Sequence, residues 1–463
     1  MVRQPPPVLL VAACVFWLQL WSSVEGAREE ADEDSGGSSG GTRGANGGWV
    51  SPEGQQPDTT VRYFISQSGS TDASDCSEHS RCALALALRL MDESAAAKHI
   101  LDFEAGSYSL KTELNVKSSL ELRGPRGATL SCEGRGLRME AKDAKLAIRG
   151  LALSECHPAI FVQGSGNMLE IEETFITAAH CEYACIDVGR TAKGTRLHLS
   201  NTHINVTLEG RDSHGLVVGA PDCVIVVNNS SIASKAGSGI RLTQPNTSLR
   251  VDQSTLAYND KHGIDIPSGG AAIDIINSSC SYNKGGGLMV EEASVSASAV
   301  DSSFVENQDT GLLVIQTQVS LSANISLERV SLKSNGINGI YIQGLEENRA
   351  CSSHSLHVRD ASINSHASYG VLLASPCAKW RSNATRMVDN SGGIRIRGHK
   401  VDVDITAFVA EMNRGPGLEV LSSTSGSTST SENNSTVVVA GVTARWNTDG
   451  LRFDAAIVNL TDV

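Results

Sequence analysis

Chemistry-bearing residues recur in this chain at a fixed interval. His214, Ser238 and His262 follow one another at 24 residues, and Arg241 and Asp265 are separated by the same 24. Asp260 and Lys261 stand directly before His262. Imidazoles, carboxylates and a guanidinium in one place can move protons or hold an anionic group. The same residues also read as a solvated face crossed by a surface ion pair, which contributes about 0 to 1 kcal/mol. His214, His262, Arg241, Asp265 and Asp260 are therefore the candidate site residues, with Ser238 and Lys261 beside them. Arg241→Ala would weaken binding if this patch holds an acidic sugar chain. Two cysteines, Cys181 and Cys185, have the C-x3-C spacing of some metal sites, but without a second pair nearby a local disulfide or two buried thiols suits them better.

The interval points to the elements that must position these groups. A small residue followed by apolar, any, apolar occurs thirteen times, from Gly136-Leu137-Arg138-Met139 to Gly450-Leu451-Arg452-Phe453. The first apolar members Leu216, Ile240, Ile264, Leu288 and Leu312 are 24 residues apart every time, and elsewhere the interval runs from 23 to 33. A constant period with occasional expansions means one structural unit per repeat, with insertions as loops. Apolar residues at alternate positions define strands, because successive side chains on a strand point to opposite faces. The middle residue is charged in seven copies (Arg138, Asp187, Arg241, Asp265, Arg395, Glu419, Arg452) and is expected to face solvent.

An asparagine stands four residues before the glycine at Asn259, Asn283, Asn307, Asn335 and Asn413. It is expected at a tight corner, where Asn tolerates left-handed backbone. A further strand precedes it, as in Leu249-Arg250-Val251 and Ile273-Asp274-Ile275. Two or three short strands closing in about 24 residues make one coil of an all-β parallel β-helix.

In these repeats the chain from Val61 onward resembles the pectin-lyase-like superfamily of right-handed parallel β-helices. The opening is also similar: Tyr63-Phe64-Ile65-Ser66, a helix from Cys82 to about Lys98, then Phe103-Glu104-Ala105-Gly106 and Leu120-Glu121-Leu122-Arg123-Gly124. The resemblance implies that the helix within residues 61–100 caps the first coil and that the β-helix occupies 101–463. The chain stops soon after a repeat strand. A coil without a C-terminal cap is expected there, either as part of a longer protein or as an end that contacts another molecule.

The period constrains the cysteines. Residues one coil apart stack at about 4.8 Å, within the Cα separation a disulfide accepts. Cys132 and Cys156 are 24 apart and Cys351 and Cys377 are 26 apart, so both pairs are expected as inter-coil disulfides, with Cys76–Cys82 as a local one. The pairing of Cys181, Cys185, Cys223 and Cys280 stays open.

Arg3, the apolar run from Val8 to Trp21 and Val24-Glu25-Gly26 read as a cleaved signal peptide over residues 1–26, too short for a spanning helix. Residues 27–60 are first acidic and then rich in Gly and Ser, as a disordered leader is. Ten cysteines remain once Cys14 leaves, an even count that suits an oxidising compartment. Sequons begin at Asn205, Asn228, Asn229, Asn246, Asn277, Asn324, Asn383, Asn433, Asn434 and Asn459. The chain is expected to be a secreted or cell-surface glycoprotein without a membrane span. Its net charge of -13 argues against nucleic acid as a partner, since no basic stripe exists to neutralise phosphates.

Enzymes of the superfamily cleave or epimerise acidic polysaccharides from an outward sheet face. The resemblance implies paired carboxylates for hydrolysis, or Ca²⁺ with an Arg or Lys base for elimination. Asn447-Thr448-Asp449-Gly450 looks like the N-T-D motif of polygalacturonases. The Asp pair, Gly-His-Gly and Arg-Ile-Lys that should follow are absent before Val463, and Arg395-Ile396-Arg397 lies upstream instead. The reading is a noncatalytic glycan-binding, adhesin-like or matrix protein with no cofactor, whose partner is an extracellular polysaccharide or cell-surface glycan. The alternative is a polysaccharide lyase, hydrolase or epimerase, and only the lyase would call for Ca²⁺.

Overall fold

The computed structural model describes residues 59–72, 75–179, 181–208, 212–347, 350–351, 353–422, 435–454 and 457–461. The signal peptide, nearly all of the leader, Asn433 and Asn434 lie outside the described residues. Among those described, parallel strands form a 16-stranded sheet, a 14-stranded sheet and two sheets of seven and six short strands. Bridges from Thr255 to Ser279 and from Ser279 to Ser303 join the short-strand sheets into one third face. A coil uses each face once, as in Thr247–Asp252, Thr255–Leu256 and Ile264–Ile266. The chain is a parallel β-helix of about 24 residues per coil.

Register follows from the repeat. Leu216, Ile240, Ile264, Leu288, Leu312 and Ile340 stand opposite one another on successive strands. All six are buried, with the parallel column Val218, Leu242, Ile266, Val290, Val314 and Ile342 beside them. Each such side chain contributes about 1.5–3 kcal/mol on burial. Shifting a strand by one residue would turn both columns outward, so the alternation fixes the pairing.

The helix spans Leu84–Glu93 and buries Leu84, Leu86, Ala87 and Met91. It is shorter than expected because Ser94 ends it in extended backbone and strand Lys98–Phe103 begins soon after. Strand Thr60–Ser70 is an end strand of the 16-stranded sheet, paired with Lys98–Phe103.

The corners differ from the sequence expectation. Positive φ falls on the residue before each asparagine: Tyr258 (60°), Tyr282 (60°), Glu306 (54°), Ser334 (54°) and Met412 (54°). The asparagines themselves are buried in a ladder. Asn283 Oδ1 accepts Asn259 Nδ2 at 2.8 Å and the Asn259 backbone N–H at 3.1 Å, and Asn307 does the same for Asn283. A carboxamide offers one strong acceptor and two donors, so it can bond the coils on either side of it. At the corner after the long strands, serines act alike: Ser230, Ser254 and Ser278 donate backbone N–H groups to the Oγ of Ser254, Ser278 and Ser302 at 3.0–3.2 Å.

Disulfides join Cys76 to Cys82 and Cys132 to Cys156, the latter with Cα atoms 4.8 Å apart. Cys181 and Cys185 also form a disulfide, while Cys223 and Cys280 are free and buried. Cys377 is disulfide-bonded, and the Cys351 side chain lies outside the described residues. Among the described residues no helix is long and apolar enough to cross a membrane.

Candidate functional site

The outward column of the 14-stranded sheet runs Asp187, Val217, Arg241, Asp265, Met289 on successive coils. Arg241 Nε lies 3.6 Å from an Asp265 carboxylate oxygen. Ser238 Oγ donates to the same oxygen at 3.4 Å. His214 begins the strand His214–Val218, and its Nδ1 accepts the Ser238 N–H at 2.9 Å. With Nδ1 accepting, the neutral ring carries its proton on Nε2, 3.3 Å from Arg241 Nη1. His262 Nδ1 likewise accepts the Gly286 N–H at 2.8 Å. The structure therefore brings His214, Ser238, Arg241, His262 and Asp265 into one patch.

Burial pushes the His214 imidazole down to about 3, with the Arg241 and Lys261 charges adding to the effect. Burial also lowers His262, against the pull of Asp265 and Asp309. Both rings are held neutral as hydrogen-bond acceptors for the backbone of the next coil. Asp260 sits in the neighbouring corner, paired with Lys284 and not with the patch. Lys261 pairs with Asp212 at 2.6 Å, and that contact holds the Asp212 carboxyl below its ordinary range.

One expectation about this column is corrected. Asp265 and Glu419 point away from the core yet are only 7 % and 1 % exposed. Glu419 is covered by arginines on the coils to either side: Arg395 bonds one oxygen, and Arg452 Nη1 stands 3.2 Å from the other. A long side chain lying along the column can screen a short one from water.

Glu291 was missed by the sequence reading. It ends the strand Leu288–Glu291, one coil beyond Asp265, and burial, then the charges of Asp265 and Glu292, raise its carboxyl above the ordinary range. Its place two residues after the outward Met289 was the available signal. Asp212 was missed as well, because it arrives from the loop that lengthens this coil. Asn447 of the N-T-D tetrapeptide belongs to the asparagine ladder, accepting the Asn413 N–H at 3.0 Å. Among the described residues no group of three or more His, Cys, Asp or Glu is placed to hold a metal ion.

Residues 214–385 match the family model of the right handed beta helix region. The same three-sheet coil continues on both sides of the matched stretch, so the match and the fold agree on a right-handed parallel β-helix, the fold that the resemblance to the pectin-lyase-like superfamily implied. No curated protein matches the sequence. Among solved structures, the chain is similar to a catalytic domain of GH87 alpha-1,3-glucanase in complex with nigerose, at 10 % identity over 89 % of this chain and 70 % of that one, with a TM-score of 0.39. It is also similar to the A-module of the mannuronan C-5 epimerase AlgE4 of Azotobacter vinelandii, at 12 % identity over 81 % and 95 %, with a TM-score of 0.44. Pectate lyase Pel9A is similar at 13 % identity over 72 % and 80 %, with a TM-score of 0.33.

Proposed function

We propose that the protein is an extracellular glycoprotein that binds a polysaccharide along the face of the 14-stranded sheet without cleaving it. The observation that carries this reading is where the described sequons fall. Asn228, Asn324, Asn383 and Asn459 lie on the 16-stranded sheet and Asn205 lies on a short-strand sheet. Asn229, Asn246 and Asn277 occupy corners, and all eight except the half-buried Asn228 are exposed. Glycans at these positions would clothe two faces and leave the third open. The disulfides Cys76–Cys82, Cys132–Cys156 and Cys181–Cys185 support an oxidising compartment.

The candidate patch fits binding better than proton transfer. Its imidazoles are committed to the backbone and Asp265 is engaged by Arg241 and Ser238. One observation favours hydrolysis as a second reading: Glu291, with a raised carboxyl, follows the carboxylate of Asp265, and such a pair can supply acid and base at a glycosidic bond. Proton NMR of a panel of neutral and uronate polysaccharides, with and without protein and Ca²⁺, separates the two. Line broadening without new signals is expected. New anomeric or unsaturated protons that vanish with Glu291→Gln would establish the enzyme, and spectra unaffected in every respect would exclude both.

A further inference from the structure

Phe161 and Asp187 are register partners on neighbouring strands of the 14-stranded sheet, and both point outward. Beside them opens a cleft lined by Arg135, Phe161, Glu182, Tyr183 and Asp187. Gly189 gives the Phe161 ring its room, since a Cβ at 189 would stand 3.1 Å from the ring edge. Tyr183 forms the second wall. It is 40 % exposed and set edge-on to the His214 ring at 5.6 Å. Glu182 and Arg135 close the rim with a 3.0 Å ion pair.

The wall is held in advance of any ligand. The Cys181–Cys185 disulfide closes the loop that carries Glu182 and Tyr183. Closing that loop covalently removes much of the ordering cost a flexible binding loop would incur. The Asp187 carboxyl is half-buried, and burial pushes it up to about 6, with Glu182 acting in the same direction and Arg135 against it. Ionised near neutral pH, the carboxylate accepts hydrogen bonds from sugar hydroxyls, and its protonated form, favoured below about pH 6, donates one as well.

We propose that this cleft is a subsite for one neutral pyranose unit of a polysaccharide, stacked on Phe161 and hydrogen-bonded by Asp187. The proposal rests on the glycan-binding reading above and gives it a place and a ligand class. A pyranose presents apolar C–H faces and a hydroxyl edge, which matches an aromatic wall next to a polar side chain. The preference for a neutral unit follows from the charges. Arg135 is taken by Glu182, and Arg138, whose guanidinium lies 5.7 Å from the Phe161 ring centre, is taken by Glu140 at 2.7 Å. Arg135 is the one cation among the described residues that line the cleft, so none of the lining is left over for a uronate, and Glu182 and an ionised Asp187 would repel one.

The test is calorimetric titration of the full protein with hexasaccharides of β-1,3-, β-1,4- and α-1,4-glucan, using an alginate hexamer as the anionic comparison. At least one neutral hexamer should bind. Phe161→Ala and Asp187→Ala should each weaken that binding about tenfold or more, while Asp187→Asn, which keeps the hydrogen-bonding shape, should stay within about threefold. Thermal melting of each variant checks that it folds. Binding of a neutral hexamer that is untouched by Phe161→Ala and Asp187→Ala overturns the subsite and leaves the broader reading standing. Binding of the alginate hexamer alone overturns the neutral assignment. Failure of all four, together with the polysaccharide panel, removes both readings.

Discussion

His366 Nδ1 accepts the backbone N–H of Asn335 at 3.2 Å, the place that an asparagine Oδ1 fills in the coils on either side. The ladder resumes one coil on, where Asn390 Oδ1 accepts the His366 N–H at 3.0 Å. An imidazole nitrogen serves one donor where a carboxamide oxygen serves two. Asn335 Nδ2 therefore keeps its bond to the Phe304 carbonyl at 3.0 Å but lacks the rung-to-rung bond its neighbours make.

His366→Asn should complete the ladder and stabilise the protein by about 0.5–1.5 kcal/mol, the net contribution of one buried hydrogen bond. Urea unfolding of the variant measures it. A midpoint equal to or below wild type would mean that the space left by the ring costs more than the bond supplies.

The interior imidazoles predict loss of stability in acid. Burial pushes His354 and His366 down to about 4 and is the main cause of the value of about 3 at His214. In the unfolded chain each takes up its proton near pH 6.5. Between there and about pH 4 the unfolded state binds more protons than the folded one, so stability falls as pH drops through that window. At about 1.4 kcal/mol for each pH unit between the unfolded and folded titrations, the three groups together are worth on the order of 10 kcal/mol by that linkage. A melting temperature that stays level from pH 7 to pH 4.5 would refute the assignment.

Arg395→Ala should destabilise the C-terminal coils by about 2 kcal/mol, because it strips one of two partners from the buried Glu419. Arg452, which is more exposed, should matter less. Adding Glu419→Gln to Arg395→Ala should recover part of the loss. Additive effects in that double-mutant cycle would show that the two side chains are not coupled.

Cys132 and Cys156 close a loop of 24 residues between adjacent coils. Replacing both with Ser should cost about 3 kcal/mol on the chain-entropy model. Thermal unfolding of the double variant is the check. A loss well under 1 kcal/mol would mean that the stacked coils already hold this part of the chain together.

The inward columns and the Cys132–Cys156 bond were legible in the sequence for the same reason. A strict period converts sequence distance into spatial neighbourhood. Phe161 and Asp187 were legible as neighbours too, since both hold the middle position of consecutive repeats. Glu182 and Tyr183 were not, because a disulfide-closed loop outside the repeat brings them to the cleft. The asparagine column was read correctly as a corner but not in its conformation. Residue identity shows what a carboxamide can bond, and only the coil geometry shows that its neighbour takes the left-handed turn. The burial of Asp265 and Glu419 escaped for a related reason, as their cover comes from side chains on other coils.

The residue before each buried asparagine has an unusual freedom. Its backbone is set by the amide bonding beside it, and at Tyr258, Tyr282, Met412 and Trp446 the side chain is 45–74 % exposed. Tyr258 and Tyr282 already lie ring against ring, 5.3 Å apart. Substitutions along this line leave the interior untouched, provided they avoid proline and the β-branched residues that the positive φ disfavours, so the edge behaves as a row of exchangeable letters about 4.8 Å apart. A lineage of such proteins could rewrite what it presents to its surroundings there while the solenoid that carries the text stays the same.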